Sequence, residues 1–285
     1  MRSDSEKWFT EEHQDAGSAW SLMVETRLAH EATDYQTIEV YKTRDWGNLM
    51  VIDGFVMLTT RDNFLYHEML THPALFSHPD PKRVLIIGGG DCGTLSEVLR
   101  HGTVEHCTQV EIDEKVTRLS EKHFPELCQR NDDPRAQLLF DDGLAHIQNL
   151  TAGSVDIVIV DSTDPIGPAE GLFGPGFVVD CYEALADGGI LVQQSESPLL
   201  HGQLIHGIRD NMAQAGFSDI QTLGFPQPCY PSGWWSATQA RKGGVIEPAD
   251  PARFSASGLV TRYFNPDVHR GALATQWDLA RPGAD

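Results

Sequence analysis

The sequence predicts an α/β protein in which a doubly wound parallel sheet follows a small antiparallel β unit. Three observations predict it. From residue 84 onward, short apolar runs alternate with helix-patterned segments at the spacing of βαβ units. Before residue 60 the apolar runs instead alternate residue by residue around a hairpin signal. Near the start of the βαβ region stands "GGGDCG", a glycine-rich turn directly after an apolar run, where doubly wound sheets place ligand loops.

The N-terminal strands are "SLMVETRLAHE", "YQTIEVYKT" and "WGNLMVIDGFVMLTT". Ile38 and Val40 alternate with Thr37, Glu39 and Tyr41, and Asp53-Gly54 forms a two-residue hairpin turn. "RDNFLYHEMLTHPALF" pairs Leu65 with Met69 and Tyr66 with Leu70 at helical spacing, and Pro73 is expected to end that helix. After "SHPDPKR" the rhythm changes. Strands "VLII", "CTQVEID", "AQLLF", "VDIVIV" and "ILVQQ" are separated by helix-like "TLSEVLRH", "EKVTRLSEKHF", a short helix after "DDG", and "FVVDCYEALADGG", which glycines stop. The chain therefore divides into residues 1–75, a β-sheet unit with its connecting helix, and residues 76–285, a Rossmann-like unit.

Composition narrows the function. Hydrophobic residues at 40% and charged residues at 22% are ordinary for a globular chain and exclude disorder. No stretch reaches the apolar length a bilayer needs, and the first twenty residues hold five acids and no apolar signal core, so a cytoplasmic protein is expected. The five cysteines are scattered without a C-x-x-C pair, and the histidines show no ligand spacing, which predicts reduced thiols and no metal site. A net charge of −20 makes nucleic acid a poor partner and a cationic small molecule a good one, although acids also simply maintain solubility.

The acids gather where ligands of such sheets bind. Asp91, Glu111, Asp141-Asp142, Asp161-Asp164 and Gln194-Glu196 all fall at carboxyl ends of predicted strands. Gly88, Gly90 and Gly93 complete a G-x-G-x-x-G turn between strand and helix, and Glu111 at the next strand end is placed to accept ribose hydroxyls. The motif alone fits a dinucleotide or an adenosyl sulfonium; Asp91 inside the turn would repel a pyrophosphate and attract a cation. Asp142 and Gly143 suit an adenine edge, or an ordinary helix cap. "DSTDP" suits a turn, but acids converging at one sheet edge repel one another unless a cation or protons compensate.

The segments "LMVIDGFVMLTTRDNFLYHEMLTH", "VLIIGGGDCGTLSEVLRH", "VEIDEKV", "VIVDSTDPIGPAEGLF", "GGILVQQSESP", "CYPSGWWS" and "SGLVTRYFNPDVH" closely resemble the polyamine aminopropyltransferases, from about residue 6 to 270. "YHEM", "GGGD" and "DSTDPIGP" are the most specific pieces. The resemblance implies a class I methyltransferase-like Rossmann core with a small N-terminal antiparallel β domain. It implies transfer of a 3-aminopropyl group from decarboxylated S-adenosylmethionine, a co-substrate rather than a resident cofactor, to an amine, usually putrescine. By this resemblance Gln36, Gly88, Glu111, Asp142, Gly143 and Pro168 contact the nucleoside. His67 and Asp91 face the aminopropyl ammonium, and Tyr66, Ser162, Asp164 and Tyr230 lie along the acceptor amine. Asp161 matches the catalytic aspartate. The family's dimers and tetramers imply a homodimer or homotetramer.

Three positions depart from the family: Met57 where many members carry Gln, and Thr60 and Asn63 where they carry acids. Trp234 and Trp235 offer an aromatic wall for a methylene chain with cationic ends, or ordinary packing. Two other functions compete: a methyltransferase on the same core, which Asp91 and the Asp161/Asp164 pair oppose, and a non-catalytic polyamine-binding protein.

Overall fold

The computed structural model describes residues 7–165 and 167–274, and the side chains of Asp15 and Pro168 also lie outside the description, so the expectation for Pro168 has no counterpart in it. Five strands form the N-terminal sheet in sequential order: β1 (Trp8–His13), β2 (Ser18–Ala32), β3 (Thr37–Thr43), β4 (Asn48–Ile52) and β5 (Phe55–Thr59). Every neighbouring pair is antiparallel. Asp53 and Gly54 take φ of 50° and 90°, as a type I′ turn requires to match the twist of the strands it joins. β1 is not expected from the sequence, because in "WFTEEH" the apolar residues are adjacent and no alternation marks a strand.

The helix that follows, α1 (Asn63–Ser77), runs through Pro73 instead of ending there. An interior proline costs about 3 kcal/mol. Fourteen of the fifteen residues of α1 are buried, however, and packing on all sides outweighs the lost hydrogen bond. Glu68 on this helix is buried among backbone donors: its carboxylate accepts from the N–H groups of Arg262, Tyr263 and Phe264 at 2.8, 2.8 and 2.7 Å. It pins the C-terminal segment to the core.

The larger unit continues with β6 (Arg83–Gly88), α2 (Gly93–Val98), β7 (His106–Glu111), α3 (Glu114–His123), β8 (Ala136–Phe140), α4 (Gly143–Gln148) and β9 (Val155–Asp161). It ends with α5 (Pro175–Ala184), β10 (Leu185–Gln194), α6 (Gly202–Ala215), β11 (Asp219–Pro226), β12 (Trp234–Arg241), α7 (Pro251–Ser257) and α8 (Pro266–Leu273). The sheet order is β11-β12-β10-β9-β6-β7-β8. Its five strands from β10 to β8 are parallel, as expected. β12 runs antiparallel to both neighbours, because the connection from β11 is too short for a crossover. "LADGG" also departs from expectation: α5 stops at Ala184, and Leu185 already pairs with Val155 before a register shift up to Ile190.

The apolar run of β9 is explained by burial on both faces. Ile157 and Ile159 pack with α1 and α2 residues such as Met69 and Leu95, while Val158 and Val160 pack with Phe177 and Ile208 behind the sheet. β6 pairs with β7 on one side and β9 on the other, so the strand order reverses there and a crevice opens at the carboxyl ends. No helix among the described residues is long and apolar enough to cross a membrane.

Glu68→Ala should strand one buried and two part-buried N–H groups and lower unfolding free energy by about 3 kcal/mol. Urea denaturation monitored by fluorescence measures this directly; a loss within about 0.5 kcal/mol would show that the carboxylate is not the anchor.

Candidate active site

Gly88 and Asp161 end adjacent strands and face one another across the switch point. Gly88 has φ of 82°, and a Cβ on it would lie 2.2 Å from the Asp161 carbonyl oxygen. Gly93 is bare for a similar reason, since its Cβ would meet the His67 ring at 2.2 Å. The glycine turn is thus what lets β9, the loop and α1 crowd together.

Asp161 is held by hydroxyls on both carboxylate oxygens. Tyr66 donates to Oδ1 at 2.7 Å and Thr94 donates to Oδ2 at 2.6 Å. Asp91 stands nearby, with Oδ1 accepting from the Gly93 N–H at 2.7 Å and Oδ2 lying 3.0 Å from His67 Nε2. Burial and the charge of Asp91 raise Asp161 above the usual carboxylate range, against the pull of His67, Thr94 and Tyr66. Burial pulls His67 down, but Asp91, helped by Asp161 and Glu97, holds it up at about 9. His67 is an imidazolium at neutral pH, and its ring stands behind Asp91, not on the cavity wall.

One end of the cavity lies at β7. Glu111 is 8% exposed and accepts from the Asp113 N–H at 2.9 Å, yet burial and the charges of Asp113 and Asp161 push it up to about 7. Asp113 caps α3 through Lys115 N and also receives the Gln36 amide at 3.1 Å, which draws the β2–β3 loop over the cavity. Asp142 accepts from Leu144 N at 2.8 Å, so it is a helix cap as well as a cavity residue. A Cβ on Gly143 would meet Ile87 at 2.6 Å.

Two chambers join at Met57, Tyr66, Ser162, Thr163 and Tyr230. The first holds Gln36, Asp91, Glu111, Asp142, Gly143 and Asp161; the second holds Glu11, Asp164, Gln194, Glu196, His201 and Trp235. Burial together with the Asp164 charge pushes Glu196 well above the usual carboxylate range. Glu11 reaches in from β1, 2.6 Å from His13 and receiving the Val56 N–H at 2.7 Å. Tyr230 donates to the Met57 carbonyl at 2.6 Å, and its ring lies 4.6 Å from Trp235. Trp234 faces a separate groove beside α8. Ser162 Oγ is buried without a hydrogen-bond partner among the described residues. Among those residues no cluster of histidine, cysteine and acids could hold a metal ion.

Residues 63–247 match the family model of the spermine/spermidine synthase domain, and residues 7–60 match that of the spermidine synthase tetramerisation domain. The chain belongs to the spermine/spermidine synthase family. A polyamine aminopropyltransferase of Xanthomonas euvesicatoria pv. vesicatoria (strain 85-10) is 58% identical over 272 residues, 95% of each chain. One from Stenotrophomonas maltophilia (strain R551-3) is 55% identical over 273 residues, 96% of each. A spermidine synthase crystallised with the transition-state analogue AdoDATO superposes with a TM-score of 0.91 at 32% identity, covering 96% of this chain and 93% of that one. The Thermotoga maritima spermidine synthase gives 0.88 at 32% identity, covering 94% and 91%. The core is therefore the methyltransferase-like fold of this family, with the antiparallel sheet at its N-terminus.

Within this family member, the sequence-named residues Gln36, Tyr66, Gly88, Asp91, Glu111, Asp142, Gly143, Asp161, Ser162, Asp164 and Tyr230 all line one chamber or the other. Glu11 is an addition on the second chamber's wall, and Thr94 and Asp113, which line neither chamber, are additions through their bonds to Asp161 and Gln36. Glu11 carries no sequence signal, because only the folding of β1 over the second chamber brings it in. Of the departures, Met57 lines the junction, while Thr60 bonds Asn48 and Asn63 bonds the Thr59 carbonyl, both in local turns.

The His67–Asp91 pair should leave a pH signature. A histidine raised to about 9 stabilises the fold fully below its unfolded value of about 6.5, and the gain is lost as pH rises through about 9. Melting temperatures of the native chain and His67→Gln should converge over that window. A gap that stays constant would mean the pair is not ionic.

Proposed function

We propose that this chain transfers a 3-aminopropyl group from decarboxylated S-adenosylmethionine to putrescine, giving spermidine, 5′-methylthioadenosine and a proton. One observation carries the reading: acids line two joined chambers from Glu111 to Glu196, and Asp161 sits near the junction. The nucleoside occupies the first chamber, with Glu111 accepting from ribose hydroxyls and Gln36, Asp142 and Gly143 around the base. Asp91 takes the ammonium of the aminopropyl arm. His67 acts through Asp91, holding it in place by a charged hydrogen bond at 3.0 Å.

The acceptor amine lies in the second chamber. Asp164 and Glu196 receive its distal ammonium, with Ser162, Tyr230 and the Trp235 face along its methylenes. The reacting nitrogen meets Tyr66 and Asp161. An ammonium with a pKa near 10 needs about 4 kcal/mol to lose a proton at pH 7. Burial of Asp161 beside Asp91 raises its proton affinity and narrows that gap. The nitrogen lone pair attacks the methylene carbon next to the sulfonium, the N–C bond forms, and the C–S pair returns to sulfur. Asp161 takes one proton from the attacking nitrogen through the Tyr66 hydroxyl, which is already donating to it at 2.7 Å. The transfer requires no metal, since the positive charge on the donor's sulfur already makes neutral methylthioadenosine a good leaving group. The chain works in the cytoplasm, where free thiols persist, as a homo-oligomer built through its N-terminal sheet.

Purified protein given both substrates should release methylthioadenosine and spermidine. Asp161→Asn should lower turnover about 10²–10⁴-fold while leaving methylthioadenosine affinity within about threefold. Failure to release methylthioadenosine with putrescine, cadaverine, agmatine or spermidine would point to a binding protein instead. Equal losses in turnover and affinity would make Asp161 a ligand contact only.

A further inference from the structure

Thr94 is the first residue after the glycine turn whose side chain reaches Asp161, and it is wholly buried. It is absent from both chamber walls, so its hydroxyl touches neither substrate. A threonine early in a helix ordinarily turns its hydroxyl to the carbonyl four residues back. For Thr94, the second residue of α2, that carbonyl belongs to Gly90, which lies outside the helix beyond the left-handed Cys92 and already receives the Thr117 hydroxyl at 2.9 Å. The Thr94 hydroxyl turns instead to Asp161 Oδ2 at 2.6 Å. Its chain neighbour Gly93 donates to Asp91 Oδ1 at 2.7 Å. Two consecutive residues of one turn therefore fix the two acids, one by a backbone donor and one by a side-chain donor.

We propose that Thr94 is a positioning residue for aminopropyl transfer, holding Asp161 Oδ2 so that Oδ1 and the Tyr66 hydroxyl face the acceptor nitrogen. The proposal rests on the reading of Asp161 as proton acceptor. Without the Thr94 donor, Asp161 Oδ2 is left in a buried space with Asp91 and Glu111 as its acidic neighbours, His67 as its cation, and Tyr66 and Tyr230 as its phenols. The carboxylate would then hold its proton more tightly and could rotate away from Tyr66. Donation by Thr94 opposes both.

Thr94→Val removes the hydroxyl at nearly constant volume, and Thr94→Ser keeps it. A hydrogen bond to a charged group is lost in the valine variant, so the acidic limb of the kcat–pH profile should move up by about one to two units. The deficit should be about 10–100-fold on the acidic side and close at alkaline pH. Methylthioadenosine affinity should stay within about twofold, and Thr94→Ser should restore the native limb. A deficit of equal size at every pH, or a serine variant as impaired as the valine one, would overturn the proposal. Asp161→Asn run in parallel separates the two claims: if it retains native turnover, the reading of Asp161 fails, whereas an unmoved limb in Thr94→Val alongside an inactive Asp161→Asn sinks only the role of Thr94.

Discussion

A carboxylate buried at the end of a parallel strand constrains everything around it. Asp161 is desolvated, lies near Asp91, and feels Glu111 as well, an arrangement that no isolated chain would tolerate at neutral pH without compensation. The compensation comes from several elements at once. α1 supplies the Tyr66 hydroxyl and the His67 cation, and α2 supplies Thr94. The glycine turn lets them approach, because side chains at Gly88 or Gly93 would collide with Asp161 or His67. What remains uncompensated is negative charge facing the chambers.

That surplus links the fold to the chemistry. A parallel sheet leaves its strand ends open at a switch point, and this sheet fills that opening with acids in a row. A substrate bearing a sulfonium and an ammonium offsets the first group, and a diamine offsets the second. Binding and reactivity then pull in opposite directions, since the acids that attract an ammonium also keep it protonated. Burial resolves the conflict at Asp161 by bringing the proton affinities of carboxylate and amine closer. Asp164 and Glu196 line the second chamber, apart from Asp161 in the first, and an ammonium bound between them would offset the repulsion that raises Glu196.

Much of this was legible in the residues themselves. The apolar run of β9 marks a strand buried on both faces, and the acids after it fall on cavity walls at the strand end, because strand periodicity and chain order are local properties. Long-range contacts were not legible. Glu11 enters the second chamber only through the folding of β1, and Thr94 reads as an ordinary helix residue until its hydroxyl is seen on Asp161, 67 residues away. The contact of His67 is likewise long-range: its ring lines neither chamber and lies 3.0 Å from Asp91. Pro73 departs from its local rule for the same reason, since burial of nearly all of α1 outweighs it.

The central claim is that the acids at the switch point select a cationic donor. Equilibrium binding of decarboxylated S-adenosylmethionine against S-adenosylmethionine tests it most directly, because the two differ by one carboxylate beside Asp91. The account predicts at least about tenfold tighter binding of the decarboxylated form, a difference of about 1.4 kcal/mol, which Asp91→Asn should shrink. Equal affinities, or tighter binding of the carboxylated form, would contradict it and favour a methyltransferase.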